Sequence, residues 1–387
     1  MRKILLLPLF TMESGHHRTA DAFMESLRKL DSSIQCEKVD FLSYVNSTFE
    51  KSLSEAYLKW ITKWPSVYSK FYMRFFNRKS AILEFTYETL FLEKMERMIQ
   101  EKQPDLIICT HSFPSFLVNK LKEFRICNVP VVNIYTDFCV NHLWGKKHVD
   151  LHFVPSQDTK EQLINNAVPK ENIIISGILT NNHFLKRKKR KPNDWKMHVL
   201  VAGGSLGLGE LSSLRESSNS KLVEYRVLCG SNFSLYKTIA SLHSDAVRPY
   251  SYVTSPAQMN QLYDWADALI TKPGGVTVSE GLTKKLPIFI HSVLPGQEER
   301  NMNFLEPRGL VQRLNDDRPI EEQIISVLHH PAAVGKIKRA MQYYANEMEV
   351  HSCMEAAGYM YDRLINHADQ MRIHYIDQVF SSLYQGG

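Results

Sequence analysis

Ala268-Leu269-Ile270-Thr271-Lys272-Pro273-Gly274-Gly275-Val276-Thr277-Val278-Ser279-Glu280 decides the fold. A short apolar run, a proline with two glycines, and then Thr277 in a first helical turn predict a strand end, a tight turn and a helix start. The unpaired N–H groups of such a helix start can hold a diphosphate. Glu280 lies about one turn further on, where a carboxylate can accept from both hydroxyls of a ribose. The plain alternative is an ordinary capped helix.

The same strand–glycine–helix pattern occurs upstream. His198–Ala202 leads into Gly203-Gly204-Ser205-Leu206-Gly207, whose glycines would let backbone N–H groups approach an anion. Taken alone, that turn can equally be glycine-rich for packing. Tyr225–Cys229 and Pro287–His291 complete a series of apolar runs separated by helical patterns. The first half carries a parallel series: Lys3–Leu9, Asp105–Cys109, Val131–Tyr135, Leu151–Val154 and Ile173–Ser176, with helical stretches such as Thr19–Leu30 and Lys160–Asn165 between them. Continuous apolar runs alternating with helices predict parallel strands covered on both faces.

Between the two series lies Lys186-Arg187-Lys188-Lys189-Arg190-Lys191-Pro192, six adjacent cations before a proline, which cannot be core. The expected organisation is a Rossmann-like domain over 1–184, a basic linker over 185–196 and a second Rossmann-like domain over 197–365. A helical tail over 366–387 is expected to pack back on the first domain. The fold class is α/β, with two Rossmann-like domains facing a cleft and ligands outside the carboxyl ends of the strands.

The 387 residues suit two domains, and 44% hydrophobic with 23% charged residues excludes disorder. No apolar run is long enough to span a bilayer. Ile4 to Phe10 reads as a first buried strand rather than a signal peptide, because Glu13 and His16-His17 follow in place of a small-residue cleavage site. Six scattered cysteines without a CxxC pair fit reduced thiols and argue against structural zinc. A net charge of +6 attracts anions of any kind, so its sign alone separates no partner class.

Three further motifs carry chemistry. Ser14-Gly15-His16-His17-Arg18-Thr19-Ala20 follows the first strand, so one histidine can face the cleft and accept a proton near neutral pH. The bland reading is a histidine capping or stacking locally. Thr136-Asp137-Phe138-Cys139-Val140-Asn141-His142-Leu143-Trp144 can set Asp137 and His142 opposite His16. Pro295-Gly296-Gln297-Glu298-Glu299-Arg300-Asn301, read as a loop, offers amides and carboxylates suited to a polyol.

One segment breaks the alternation. Trp60, Trp64, Tyr68, Phe71 and Phe75 are interleaved with Lys63, Lys70 and Arg74. An aromatic face bordered by cations suits an interfacial membrane helix, and equally a packed helical hairpin with solvated cations. Nucleic-acid binding through the Lys186–Lys191 run is not expected, since no base-stacking aromatics accompany it. There is no G-x-x-x-x-G-K-[ST] element, no G-x-G-x-x-G after the first strand and no H-E-x-x-H.

In combination, Ser14-Gly15-His16-His17-Arg18, Thr136-Asp137-Phe138, Gly203-Gly204-Ser205, Thr271-Lys272-Pro273-Gly274-Gly275 and Pro295-Gly296-Gln297-Glu298 resemble the monogalactosyldiacylglycerol synthase and processive diacylglycerol glucosyltransferase family. That family is related to the peptidoglycan N-acetylglucosaminyltransferase, and the similarity runs in register from about residue 1 to 350. The resemblance implies a GT-B fold and an inverting transfer of a hexose from a UDP-sugar to a lipid hydroxyl, with neither metal nor cofactor. The implied acceptor is diacylglycerol or a glycosyl-diacylglycerol at the anionic inner face of the cell membrane, with the protein cytoplasmic and peripherally bound.

By the same resemblance His16 is the general base and Asp137 the acidic residue near the acceptor. Gly274, Gly275 and Thr277 match the diphosphate turn, Glu280 the ribose ligand, and Gln297, Glu298 and Asn301 the sugar-facing loop; Gly203, Gly204, Ser205, Lys272 and Pro273 complete the expected donor-binding set. Trp60, Trp64, Tyr68, Phe71, Arg74 and Phe75 fall where the family contacts acceptor and membrane. Glu13 stands where the family carries a glycine. A soluble-acceptor enzyme, a UDP-sugar epimerase and an inactive nucleotide-sugar-binding relative are the competing readings.

Overall fold

The computed structural model describes residues 2–9, 14–46, 81–185, 196–204 and 217–366. Two six-stranded parallel sheets are formed within them. The first contains β1 (Lys3–Leu7), β2 (Gln35–Lys38), β3 (Leu106–Cys109), β4 (Val131–Ile134), β5 (Leu151–Val154) and β6 (Ile173–Ile175), in the order β2-β1-β3-β4-β5-β6. The second contains β7 (Met197–Ala202), β8 (Val223–Leu228), β9 (Val247–Tyr250), β10 (Ala268–Thr271), β11 (Ile288–Ile290) and β12 (Gln312–Arg313), in the order β12-β11-β10-β7-β8-β9.

Each sheet reverses its strand order once, between β1 and β3 in the first and between β7 and β10 in the second. At such a switch point the loops leaving two neighbouring strands splay to opposite faces and open a crevice. His16 follows β1 and Thr110 follows β3; Gly203 follows β7 and Lys272 follows β10. Three of the five chemistry-bearing motifs therefore fall at the two places where topology makes crevices, and those holding Asp137 and Gln297 follow β4 and β11, one strand further out.

Alternate residues of one strand supply opposite layers of core. Leu5, Leu7 and Ile107 pack on one face of the first sheet, and Ile4, Leu6 and Ile108 on the other. Leu200 and Val199 divide in the same way in the second. The first domain's layers are covered by α1 (Gly15–Leu30), α2 (Ala81–Lys102), α3 (Ser112–Glu123) and α4 (Gln157–Ile164). The second carries α5 (Phe233–Ala240), α6 (Pro256–Trp265), α7 (Gly275–Thr283), α8 (Gln297–Leu305), α9 (Ile320–Leu328) and α10 (Pro331–Asn346), and α11 (Cys353–Tyr361) follows.

Two expected boundaries move. Phe184, the last residue assigned to the first domain, is buried in the second domain's core with its ring 5.4 Å from Tyr263. The second domain ends well before 365. By Glu349 the chain has returned to the first sheet, where the Glu349 carboxylate accepts from Lys160 Nζ (2.7 Å) and Ile175 N (2.6 Å). Cys353, Ala356, Ala357 and Met360 of α11 are fully buried against Ala20, Phe23 and Leu27 of α1. The return is apolar rather than tail-like, so 350–366 is part of the first domain's core. The expected tail over 367–387 lies outside the described residues, as does the run 186–195 of the basic linker. No helix among the described residues is long and apolar enough to cross a membrane.

Candidate functional site

The site is built from two helix N-termini that meet across the domain boundary. α1 begins at Gly15, four residues before the helical pattern expected from Thr19, so His16 sits in its first turn. α7 begins at Gly275, immediately after the proline-glycine turn. Neither helix carries an acidic residue in its first turn, so the partial positive charge at each end is left for something else to neutralise. The two ends approach closely: a Cβ at Gly15 would stand 2.9 Å from Val276 Cγ2, and one at Gly275 only 2.1 Å from the carbonyl oxygen of Thr136.

The adjacent histidines separate by direction. His17 is buried and turns back on Ser14, with Nδ1 3.2 Å from its hydroxyl. His16 turns toward the crevice, with Nδ1 2.8 Å from Thr110 O and 2.7 Å from Thr136 Oγ1. A carbonyl can only accept, so Nδ1 carries the hydrogen and the lone pair of the neutral ring is left on Nε2. The His111 ring meets it edge-on at 4.7 Å. Burial holds the His16 pKa below the ordinary value, against the attraction of the Asp137 charge and the bond to Thr110. His111 is held far lower by burial, with His16 and His17 adding to the effect. Burial thus favours the neutral ring, with Nε2 as its acceptor nitrogen.

Asp137 lies beside His16 on the same domain rather than opposite it. Its carboxyl is raised by burial, against the pull of His16 and the hydrogen bonds of Asn301 and Gln297. Asn301 does not present its amide to a ligand, as the resemblance implied. It is 1% exposed, its Nδ2 donates to Asp137 Oδ1 (2.9 Å), and its Oδ1 accepts from Phe138 N (2.9 Å). Both ends of the amide are spent on tying the domains, next to Phe138 stacked on Phe304 at 5.1 Å. Trp144 packs 4.3 Å from Tyr135 in the first domain's core.

The stretch from Pro295 to Asn301, expected as a loop, opens α8. Gly296 has φ +97°, and Glu299 accepts from its N–H (2.9 Å), so a left-handed glycine and a carboxylate cap start the helix where a polar loop was read. Glu298 accepts from Leu294 N (2.7 Å). Lys272, 7% exposed, is lowered by burial against the influence of Glu298, and Glu298 is raised by burial against that of Lys272. His291, on the neighbouring strand end, is pushed down to about 4 by burial and then by Lys272.

Gly204 has φ +82° and no atom within 4 Å of a built Cβ, so it is a conformational glycine beside open space. It borders a cavity of about 290 Å³ whose wall includes Arg18, Tyr252, Val253, Thr277 and Glu280. Glu280 is 2% exposed and accepts from the Tyr263 hydroxyl (2.7 Å). Tyr252, Val253 and Tyr263 carried no signal in the sequence: their contribution depends on where β9 ends and on which face α6 presents. Ser205, Glu13 and the residues Trp60, Trp64, Tyr68, Phe71, Arg74 and Phe75 lie outside the described residues.

Two parallel sheets with their switch-point loops turned on one another across a cleft define the GT-B fold, and comparison with known proteins agrees. Residues 16–179 match the family model for monogalactosyldiacylglycerol (MGDG) synthase. The uncharacterized glycosyltransferase YkoN of Bacillus subtilis (strain 168) is 40% identical over 361 residues, covering 90% of this chain and 94% of that protein. The processive diacylglycerol beta-glucosyltransferase of Bacillus mycoides (strain KBAB4) is 28% identical over 379 residues, 93% of each. The crystal structure of Acinetobacter baumannii MurG superposes with a TM-score of 0.54 over 94% of this chain and 99% of that one, at 14% identity. The chain belongs to the monogalactosyldiacylglycerol synthase and processive diacylglycerol glucosyltransferase family, and it is a glycosyltransferase.

Proposed function

We propose that the protein transfers a hexose from a UDP-sugar to the hydroxyl of diacylglycerol or a glycosyl-diacylglycerol, with inversion and without a metal, at the cytoplasmic face of the membrane. The observation that carries this reading is the His16 imidazole in the first turn of α1, its Nδ1 tied to Thr110, where that helix end meets the N-terminus of α7.

The acceptor hydroxyl gives its proton to His16 Nε2 as its oxygen attacks the anomeric carbon. The bond from that carbon to the diphosphate oxygen breaks, and its electron pair leaves with UDP. The growing charge meets the N–H groups of α7, the Gly203-Gly204 backbone and the Lys272 ammonium, which are oriented before the reaction begins. Those groups supply the charge stabilisation that a divalent metal gives in other transferases. Asp137 favours the imidazolium that forms. Glu280 receives the ribose hydroxyls. The diacylglycerol glucosyltransferase named among the relatives supports the lipid acceptor. The aromatic and basic residues from Trp60 to Phe75 support the membrane face.

Incubating the protein with labelled UDP-glucose or UDP-galactose and diacylglycerol vesicles, with EDTA in a parallel arm, tests this reading. Label in the lipid extract, undiminished by EDTA and β-linked, is expected. No lipid label from either donor overturns it.

The pH profile gives an independent check. The unprotonated ring is the base, so kcat/KM falls as pH falls through the His16 pKa, which lies below 6.5. Asp137 raises that pKa, so Asp137→Asn moves the acid limb to still lower pH, whatever it does to the plateau. An acid limb that moves upward, or stays in place, removes Asp137 from the electrostatics of the base.

A further inference from the structure

Arg18 has no part in the chemistry above, yet its side chain crosses from one domain to the other. It rises from the first turn of α1, and its Nη1 lies 3.2 and 3.3 Å from the two carboxylate oxygens of Glu280. Its Nη2 donates to Thr277 Oγ1 at 3.1 Å. The carboxylate is buried, with 3% of its side chain exposed, whereas 35% of the arginine side chain is exposed on the cavity wall. The guanidinium therefore holds the group assigned to ribose and the first-turn hydroxyl of the helix assigned to the diphosphate. The inference rests on those two assignments.

They place Arg18 in competition with a nucleoside. Ribose hydroxyls reaching Glu280 must displace a charged donor, the single Nη1 that spans both carboxylate oxygens, and hydroxyls return hydrogen bonds but no charge. A guanidinium taken off that carboxylate turns to water or to another anion, and an anion holds it more strongly. A nucleoside brings none. A nucleoside diphosphate brings one, and brings it to the end of α7, where Arg18 already touches Thr277. A small rotation of the planar fork moves the cation from carboxylate to phosphate, a shape exchange that suits arginine better than lysine. Because the arginine belongs to the other domain, the same move ties the two domains around the donor.

We propose that Arg18 is a positioning residue that makes the donor site selective for nucleoside diphosphates over nucleosides. It clasps Glu280 and Thr277, and passes to the diphosphate as ribose takes the carboxylate.

Calorimetry with UDP and with uridine on the full chain, Arg18→Ala and Arg18→Lys separates this role from a structural one. Arg18→Ala is expected to weaken UDP about ten- to hundredfold, as loss of a charge-assisted pair would. The same variant is expected to bind uridine more tightly than the parent, because Glu280 no longer has to be stripped of its cation. Arg18→Lys keeps the charge without the fork and falls between the two for UDP. In steady state the KM for the UDP-sugar rises more than kcat falls. Equal weakening of UDP and uridine would mark Arg18 as structural and overturn the proposal, as would unchanged UDP affinity. Failure of the parent itself to bind UDP removes the nucleotide reading, and this inference with it.

Discussion

His16→Ala will lower kcat by about 10²–10⁴ and leave UDP affinity essentially unchanged. The ring is fixed from three sides: Thr110 O and Thr136 Oγ1 hold Nδ1, and His111 stands against its edge. None of these contacts belongs to the second domain, which carries the glycine turns and Glu280. Removing the imidazole takes away the proposed proton acceptor without disturbing the turn proposed to hold the diphosphate. Steady-state kinetics with lipid acceptor, set beside UDP calorimetry, reads both quantities. A loss of UDP affinity as large as the loss of turnover would show that His16 supports the fold of the cleft instead.

Gly275→Ala will reduce transfer by roughly 10²-fold, the scale expected when reacting groups are displaced by about 1 Å. The new methyl would stand 2.1 Å from the Thr136 carbonyl oxygen and 2.8 Å from Ile178 Cδ1. The first of these is backbone, fixed at the end of β4, so the domains must part to make room. Thr136 is also the residue that holds His16, which links the clash directly to the base. The methyl also meets Ile178 of the second domain's core, so a fall in melting temperature accompanies the loss of activity, and the activity loss is the larger effect. Gly274→Ala is the matched control for folding: its Cβ meets nothing within 4 Å and its φ is −76°. Full activity in Gly275→Ala would show that the close approach of α7 to β4 is dispensable.

The central strands were legible because a parallel strand covered on both faces must be apolar at every position, and β3 with Leu106, Ile107, Ile108 and Cys109 is fully buried. Edge strands obey no such rule. β2 reads Gln-Cys-Glu-Lys with its ends exposed, β9 contains Pro249, and β12 is two residues long; none stands out from a loop by composition. The motif from Ser14 to Ala20 reads as opening a helix, and α1 does start at Gly15; only its apolar period begins later, because Gly15, His16 and Arg18 do not face the helix core.

The amino-acid sequence by itself determined two parallel sheets, the glycine turns that end β7 and β10, and a histidine at the end of β1. These are properties of neighbouring residues: burial sets hydrophobicity, and a tight turn before a helix requires glycine. Only the tertiary structure decided that Arg18 meets Glu280 across 262 positions, that Asn301 is spent on Asp137 across 164, and that Thr136 orients His16 across 120. The first two pairs arise from the packing of one domain on the other, and the third from the loops that leave β1 and β4 of the same sheet. Polar side chains that find partners at that distance impose no period on the chain around them, so no local pattern announces the meeting.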